Sequence, residues 1–279
     1  MRLRLYHHGD GARVAYRELG AGQALCLVHS ALLTHLEFEP AVRELADRYR
    51  LVLPDLPLHG DSEDRPRHPY TLDWFADVMA GFADEVLGQR PLIAAHDAGA
   101  EIMLEATLSG RLRPGRLVLM STRLHGQTPA PRAHRAWRAA AMAGAVPGVD
   151  RLVTYAVPHV FSPARARRLT VRANPAASDL VRHAVDDVRG NSNLARSWAK
   201  AARSWPFEPR GELRARYREL DMPVLLLWAD SDSLHPLAVA EEALALLPDG
   251  QLRVLPSTGF LMAYDDPVGV ARELAAFCG

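Results

Sequence analysis

The chain has 279 residues, 48% of them hydrophobic, and its 33 Lys and Arg balance its 33 Asp and Glu. This length is enough for one large α/β core with an inserted subdomain, and the zero net charge argues against nucleic-acid or anionic-membrane partners. With two cysteines and no apolar run of the roughly 20 residues that a membrane helix needs, we expect a soluble, cytoplasmic protein without a disulfide framework.

Short apolar strands alternate with amphipathic helices along most of the chain. The first two strands, Arg2–His7 and Arg13–Leu19, flank Gly9-Asp10-Gly11, which predicts a hairpin. Further strands are predicted at Ala24–Val28, 51–53, 92–95, Arg116–Met120, Val224–Ala229 and 251–255. Helices are predicted at about 38–49, 71–87, 98–109, 236–247 and 268–277. The alternation predicts an α/β fold with a mostly parallel central sheet covered by helices on both faces.

The strand pattern stops between residues 124 and 205. This segment is helical by composition and is interrupted by proline and glycine residues. A helical insertion between two strands of such a sheet covers the carboxyl ends of the strands, where ligands bind. We therefore divide the chain into a core of residues 1–123 and 206–279 and a helical lid of residues 124–205.

A strand, a sharp turn and a helix start are predicted over residues 91–100. Asp97 stands at the turn, with the small residues Ala95 and Gly99 two positions away on either side, as a tight strand-to-helix turn requires. Such a turn lifts the Asp97 side chain above the sheet at a helix N-terminus, where the helix dipole and free N–H groups stabilise a carboxylate. The alternative is that Asp97 merely caps the helix.

Four landmarks, in chain order, resemble the α/β-hydrolase fold over essentially the whole chain. Residues 27–32 are similar to the oxyanion loop, with Ser30 in place of the usual glycine, and residues 54–62 are similar to the Asp-x-x-Gly-His-Gly-x-Ser loop. The turn at Asp97 is similar to the nucleophile elbow of that fold. Residues 227–236 resemble the loop of the catalytic acid, with Asp232 at the acid position.

The resemblance implies an oxyanion hole made by the N–H groups of Ala31 and Ala98. Family members with Asp at the elbow are mainly haloalkane dehalogenases, epoxide hydrolases and fluoroacetate dehalogenases, whose carboxylate attacks carbon and whose histidine activates the water that cleaves the resulting ester. This chain departs from all three. Phe260 stands where the family has its histidine, and Ala98 follows Asp97 where Trp or Arg is usual. Epoxide hydrolases of the family bind the epoxide oxygen with a pair of lid tyrosines. This lid offers only Tyr155, and Tyr217 lies beyond it.

Other histidines are candidates for the missing base. His235, three residues after Asp232, and His125, after the strand Arg116–Met120, are the first to consider. His96 is expected to pack to the side of the elbow. His29 and His59 match loop histidines that the resemblance implies are mostly structural, and a structural role is the alternative for all five.

Without a histidine base, we expect a non-hydrolytic enzyme of bacterial specialised metabolism: an isomerase, cyclase, lyase or epimerase. Asp97 would act as its acid or base on a small, largely apolar substrate, paired with Asp232 through a shared proton or water. No imidazole would lie within hydrogen-bonding reach of Asp97 in the place of the family's base, because Phe260 should fill that volume. Two alternatives stay open. One is a hydrolase with Asp97 as nucleophile and a recruited histidine; the other is a binding protein without catalysis.

The pocket is predicted to be closed, mostly apolar and covered by the lid. Its predicted lining is His29, Ser30, His96, Arg123, Trp137, Tyr155 and Trp198, with Phe161 and Trp205 as further aromatic candidates. Arg123 could hold an anionic substrate or make a surface salt bridge. No cofactor or metal is predicted, a small molecule is the predicted partner, and a homodimer is left open.

Overall fold

A computed structural model describes residues 1–65, 67–126, 139, 142, 169–188 and 191–279. The described residues form an eight-stranded sheet in the order β1-β2-β4-β3-β5-β6-β7-β8. The strands are β1 (Arg2–His7), β2 (Arg13–Leu19), β3 (Ala24–Val28), β4 (Arg50–Pro54), β5 (Leu92–His96), β6 (Arg116–Met120), β7 (Val224–Ala229) and β8 (Gly250–Leu255). Strand β2 pairs antiparallel with β1 and β4, and all other pairs are parallel. The predicted α/β architecture is confirmed.

Helices cover both faces of this sheet. The helices described are α1 (Glu39–Leu45), α2 (Leu72–Phe82), α3 (Ala98–Leu108), α4 (Pro175–Val188), α5 (Ser192–Ser204), α6 (Leu213–Arg216), α7 (Leu237–Leu244), α8 (Met262–Asp265) and α9 (Pro267–Cys278). Their starts follow capping chemistry: the Thr71 hydroxyl accepts the N–H of Trp74 at 3.2 Å, and the Asp266 carboxylate accepts that of Gly269 at 2.8 Å.

Alternation along β3 divides the core into two layers. Cys26 and Val28 point to one face of the sheet and join the core under α2 and α3, while Leu25 and Leu27 join the core under α1 and α9. All four are fully buried, as expected for a central strand of a parallel sheet. The carboxyl ends of β3, β5, β7 and β8 lie at one edge, and the loops that leave them carry the candidate site.

Two predicted helices differ from the structure. The helix predicted at 71–87 ends as an α-helix at Phe82 and continues as a π-helical turn over Ala83–Leu87, which ends where Gly88 takes a φ of 80°. The helix predicted at 38–49 is a 3₁₀ turn, His35–Phe38, followed by the shorter α1. Element boundaries depend on such local turns more than on apolar periodicity.

The insertion between β6 and β7 contains α4 and α5 among its described residues. The bounds of the lid stay a prediction, because most of residues 127–168 lie outside the part that the structure describes. Within the described part of the chain, no helix is both long and apolar enough to span a membrane.

Candidate active site

Asp97 occupies a sharp turn between β5 and α3. Its backbone has a φ of 47° and a ψ of −116°, a strained combination for a residue other than glycine. The turn brings Gly99 so close to β3 that a Cβ atom there would lie 2.4 Å from the carbonyl oxygen of His29. The hydroxyl of Thr122 donates to the Asp97 carbonyl at 2.9 Å and holds the turn in place. This explains why small residues were found around Asp97.

The Asp97 carboxylate has two different environments. Its Oδ2 atom accepts the N–H of Ala31 at 3.3 Å, and the backbone N–H of Ala98 helps to lower the pKa of the carboxyl. These are the two donors that the sequence predicted for an oxyanion hole. The side chain of Asp97 keeps 21% of its surface exposed, so the carboxylate is open to a small reactant.

The second oxygen of Asp97 faces an imidazole. The Nε2 atom of His235 lies 3.3 Å from Asp97 Oδ1, and the Nδ1 atom of His235 lies 2.8 Å from Oδ2 of Asp232. The expectation that no imidazole lies within reach of Asp97 is therefore wrong. The imidazole lies between Asp97 and Asp232, where a shared proton or water was expected to join them. The three side chains form a chain from carboxylate to imidazole to carboxylate, which is the geometry of a nucleophile, a base and an orienting acid.

The loop after β7 supplies both His235 and Asp232. Asp232 Oδ1 accepts the N–H of Leu234 at 2.8 Å, which closes a tight turn and leaves Oδ2 for the imidazole. The indole N–H of the fully buried Trp228 donates to the carbonyl of His235 at 2.9 Å and anchors the far end of the turn. These two bonds turn the ring back toward its own loop and toward Asp97.

Phe260 lies beside this imidazole. Its ring centroid is 5.9 Å from that of His235, with the planes 24° apart, and 4.6 Å from that of His96. The N–H of Gly259 donates to Asp265 at 2.8 Å, which fixes the loop before Phe260. The phenyl ring therefore shields one face of the imidazole from water and adds no acid or base.

The charges of Asp97 and His235 stabilise one another. Burial alone would raise the pKa of Asp97, but the hydrogen bond and positive charge of His235 outweigh it and lower that pKa to about 2. Burial alone would lower the pKa of His235, but its bonds to Asp232 and Asp97 raise it to about 9. The resting site at neutral pH is therefore a carboxylate–imidazolium–carboxylate array, and Asp97 is a poor general acid.

Because of this array, we expect the fold to lose stability as the pH becomes alkaline. Because the pKa of His235 rises from 6.5 in the unfolded chain to about 9 in the folded one, its contribution is complete below pH 6.5 and is lost as the pH approaches about 9. At roughly 1.4 kcal/mol per pKa unit, we expect the free energy of unfolding to fall by about 3 kcal/mol over this interval. Urea titrations at pH 6 and pH 9 measure it.

The control for that measurement is His235→Gln, which cannot titrate. Its free energy of unfolding should change much less between the same two pH values than that of the wild type. Parallel losses in both proteins would show that other groups cause the alkaline effect.

The structure assigns His125 and Arg123 to other contacts. The Nδ1 atom of His125 lies 3.2 Å from the Tyr217 hydroxyl and its Nε2 atom lies 3.1 Å from Glu242, so His125 is not the base. Tyr217 is itself 1% exposed in the core. Arg123 makes a salt bridge to Glu101 at 2.6 Å that is buried, which corrects one of the two predicted alternatives, the surface salt bridge. The other, a hold on an anionic substrate, stays a prediction.

The loop histidines are structural, as the resemblance implied. Both ring nitrogens of His29 bond the backbone, to the carbonyl of Ser30 at 2.7 Å and the N–H of Leu56 at 2.9 Å. His59 accepts the N–H of Leu32 at 3.0 Å, and burial lowers its pKa to about 3, so it stays neutral. His29 and Ser30 are fully buried, which corrects their predicted place in the pocket lining.

Part of the predicted pocket lining lies outside the described residues, namely Trp137, Tyr155 and Phe161. The structure describes Trp198, whose ring packs edge-on against His59 with centroids 4.8 Å apart. It borders a groove shared with Leu32, Leu58 and Leu194. Trp205 is partly buried and packs against Phe75 with ring centroids 5.8 Å apart. Because Trp137, Tyr155 and Phe161 are not described, the closed pocket under the lid stays a prediction.

One residue of the site was missed by the sequence analysis. Glu37 is 2% exposed and bonds Ser30 and His96 on either side of the oxyanion hole. The sequence offers one signal for it: Glu37 stands between Leu36 and Phe38, close after the oxyanion loop. An acidic residue among apolar residues that are expected to be buried needs a polar partner.

Comparison with known proteins identifies the family of the chain. A family model described as the alpha/beta hydrolase fold matches residues 23–267. An uncharacterized hydrolase of Bacillus subtilis is 22% identical over 96% of this chain and 95% of that protein. The 2-(acetamidomethylene)succinate hydrolase of Mesorhizobium japonicum is 25% identical over 86% of this chain and 82% of that protein.

Solved structures show the same fold. An alpha/beta hydrolase fold protein from Burkholderia ambifaria superposes with a TM-score of 0.82 at 21% identity, covering 98% of this chain and 97% of that one. A thermophilic esterase from Thermogutta terrifontis superposes with a TM-score of 0.78 at 20% identity, covering 100% of this chain and 98% of that one. At this identity the likeness concerns the fold alone.

Proposed function

The chain belongs to the α/β-hydrolase fold family, and we propose that it is a hydrolase in which Asp97 attacks an sp³ carbon that carries a leaving group. One observation supports this most: the His235 imidazole lies between Asp97 and Asp232, at 3.3 Å and 2.8 Å. A base in that position can activate water to hydrolyse the ester that such an attack forms. The substrates are small alkyl halides or epoxides.

The first step is alkylation of Asp97. Oδ2 accepts the N–H of Ala31, so Oδ1 is the oxygen that attacks. A C–O bond forms as the carbon–halogen or epoxide C–O bond breaks, and the leaving group departs as halide or alkoxide. The alkoxide of an opened epoxide takes its proton from the His235 imidazolium. No base is needed, because Asp97 is ionised at neutral pH.

The second step is hydrolysis of the ester. Alkylation removes the negative charge of Asp97, and the pKa of His235 falls because one of the two charges that raise it is gone. In the epoxide route His235 has already given its proton to the alkoxide, and in the halide route it releases that proton to solvent. Neutral His235, oriented by Asp232, then takes a proton from water, and the hydroxide adds to Cγ of Asp97. The negative charge on Oδ2 is stabilised by the oxyanion hole. Collapse expels the alkoxide, which takes a proton from the His235 imidazolium, and the Asp97 carboxyl then passes its own proton to His235, which restores the resting site.

The acid–base alternative has less support. A general acid works best with a pKa near the working pH, whereas the pKa of Asp97 is lowered to about 2. The expectation of an isomerase or lyase depended on the absence of a base, and His235 supplies one. A carboxylate that stays ionised and open on one side suits a nucleophile.

Oxygen labelling tests the proposal. When excess enzyme turns over an activated alkyl bromide or a terminal epoxide once in H₂¹⁸O, the label should enter the carboxylate of Asp97, because water attacks Cγ. The alcohol should carry the unlabelled oxygen of Asp97. Mass spectrometry of the peptide that contains residue 97 measures this.

The opposite labelling pattern would overturn the proposal. If water attacked the substrate directly, the alcohol would carry ¹⁸O and residue 97 would stay unlabelled. Incubation in H₂¹⁸O without substrate is the control for spontaneous exchange.

A further inference from the structure

A buried carboxylate that takes no part in either chemical step connects the two sides of the oxyanion hole. Glu37 lies on the 3₁₀ turn that follows the loop after β3 and is 2% exposed. Its Oε2 atom accepts the N–H of Ser30 at 2.7 Å and the hydroxyl of Ser30 at 2.9 Å. Its Oε1 atom contacts Nδ1 of His96. A single carboxylate thus holds the oxyanion loop and the elbow together.

His96 is the elbow side of this connection. It directly precedes Asp97 in the chain and is 1% exposed. Its Nε2 atom has no hydrogen-bond partner within the described ranges of the chain, and its ring packs on Phe260 at 4.6 Å. Among these residues, Glu37 is therefore the polar group that sets the orientation of the His96 ring.

The oxyanion loop needs such a connection. Leu32 has a φ of 66°, a strained value for a branched residue, so the loop does not hold its shape by local preference alone. Where related proteins usually have glycine, this chain has Ser30, and both donors of Ser30 bond Glu37. The next N–H along the chain is that of Ala31, which donates to Asp97.

We infer that Glu37 is a positioning residue of the oxyanion hole, which sets the distance between the Ala31 N–H and Asp97 by tying Ser30 to His96. The inference rests on the proposed function, since it assigns Glu37 to one step of that reaction. Alkylation places no new charge on Oδ2, whereas hydrolysis places a full negative charge there. Loss of Glu37 should therefore slow hydrolysis of the ester and leave its formation nearly unchanged.

Rapid-quench mass spectrometry with an activated alkyl bromide or a terminal epoxide separates the two steps. For Glu37→Leu, we expect hydrolysis to slow by about 10- to 100-fold and alkylation to change by less than about 3-fold, so that ester accumulates on Asp97. Glu37→Gln keeps the size of the side chain but has one acceptor oxygen for three donors, and should show a smaller loss in the same step. If Glu37→Leu does not fold, the rates of the two steps in Glu37→Gln test the inference.

The matched control is Glu39→Gln, which removes an exposed charge two residues away and should leave both rates unchanged. If the ester forms and both steps slow equally in the Glu37 variants, or neither slows, Glu37 has no positioning role and the inference alone fails. If the wild type forms no ester with any of these probes, the proposed function fails and the inference falls with it.

Discussion

Asp97→Asn should lose hydrolysis of alkyl bromides or epoxides by on the order of 10⁴-fold or more, because an amide oxygen is too weak a nucleophile to displace the leaving group. The substitution preserves shape, and asparagine tolerates the positive φ of 47° at this turn better than most residues. The protein should therefore stay folded and bind ligand. Steady-state release of halide or diol measures the loss.

Mass spectrometry of residue 97 provides the control for this variant, since deamidation would regenerate Asp97 and restore activity. A variant that keeps its activity while residue 97 is still Asn would show that another group is the nucleophile. Unchanged behaviour toward the natural ligand, with no adduct on the wild type, would favour a binding protein.

His235→Gln should stop the reaction at the ester on Asp97. Alkylation needs no base, so an ester should form on Asp97 and appear as a mass adduct on its peptide. Hydrolysis of that ester should slow by on the order of 10²–10⁴-fold, because glutamine can neither take a proton from water nor return one to the leaving alkoxide. A burst of halide release followed by near-zero turnover is the expected kinetic pattern.

His125→Gln is the matched comparison. Like His235, His125 is a buried histidine on a loop at the carboxyl end of a strand, but its ring contacts Tyr217 and Glu242. The His125→Gln variant should turn over substrate without accumulating the ester on Asp97. If His125→Gln trapped the adduct and His235→Gln did not, the base would be misassigned.

The sequence predicted the sheet and the sharp turn at Asp97 well because each depends on local pattern. Fully buried apolar runs mark the central strands, and the close approach of Gly99 to the His29 carbonyl requires a small residue in that place. The helix start after Asp97 follows from the same turn. These features need no knowledge of distant contacts.

The sequence named His235 as a candidate base but could not choose between it and His125, because the choice depends on how one short loop turns. Spacing places His235 three residues after Asp232 but does not say whether its ring points inward. The direction comes from the Leu234 N–H on Asp232 and from the Trp228 indole on the His235 carbonyl. The role of Glu37 was equally inaccessible, because its partner His96 is 59 residues away in the chain.

The common origin of His235 and Asp232 has a consequence for how this site tolerates change. In the arrangement that the family resemblance implied, the histidine comes from the loop after β8, so its alignment depends on two loops docking together. Here a single four-residue turn, Asp232 to His235, carries both the proposed base and the carboxylate that orients it. In the proposed reaction the loop around Phe260 therefore supplies no acid or base. We expect substitutions in this loop to reshape the wall of the site, and so to change which molecules are accepted, as long as the ring contacts of Phe260 with His235 and His96 are kept.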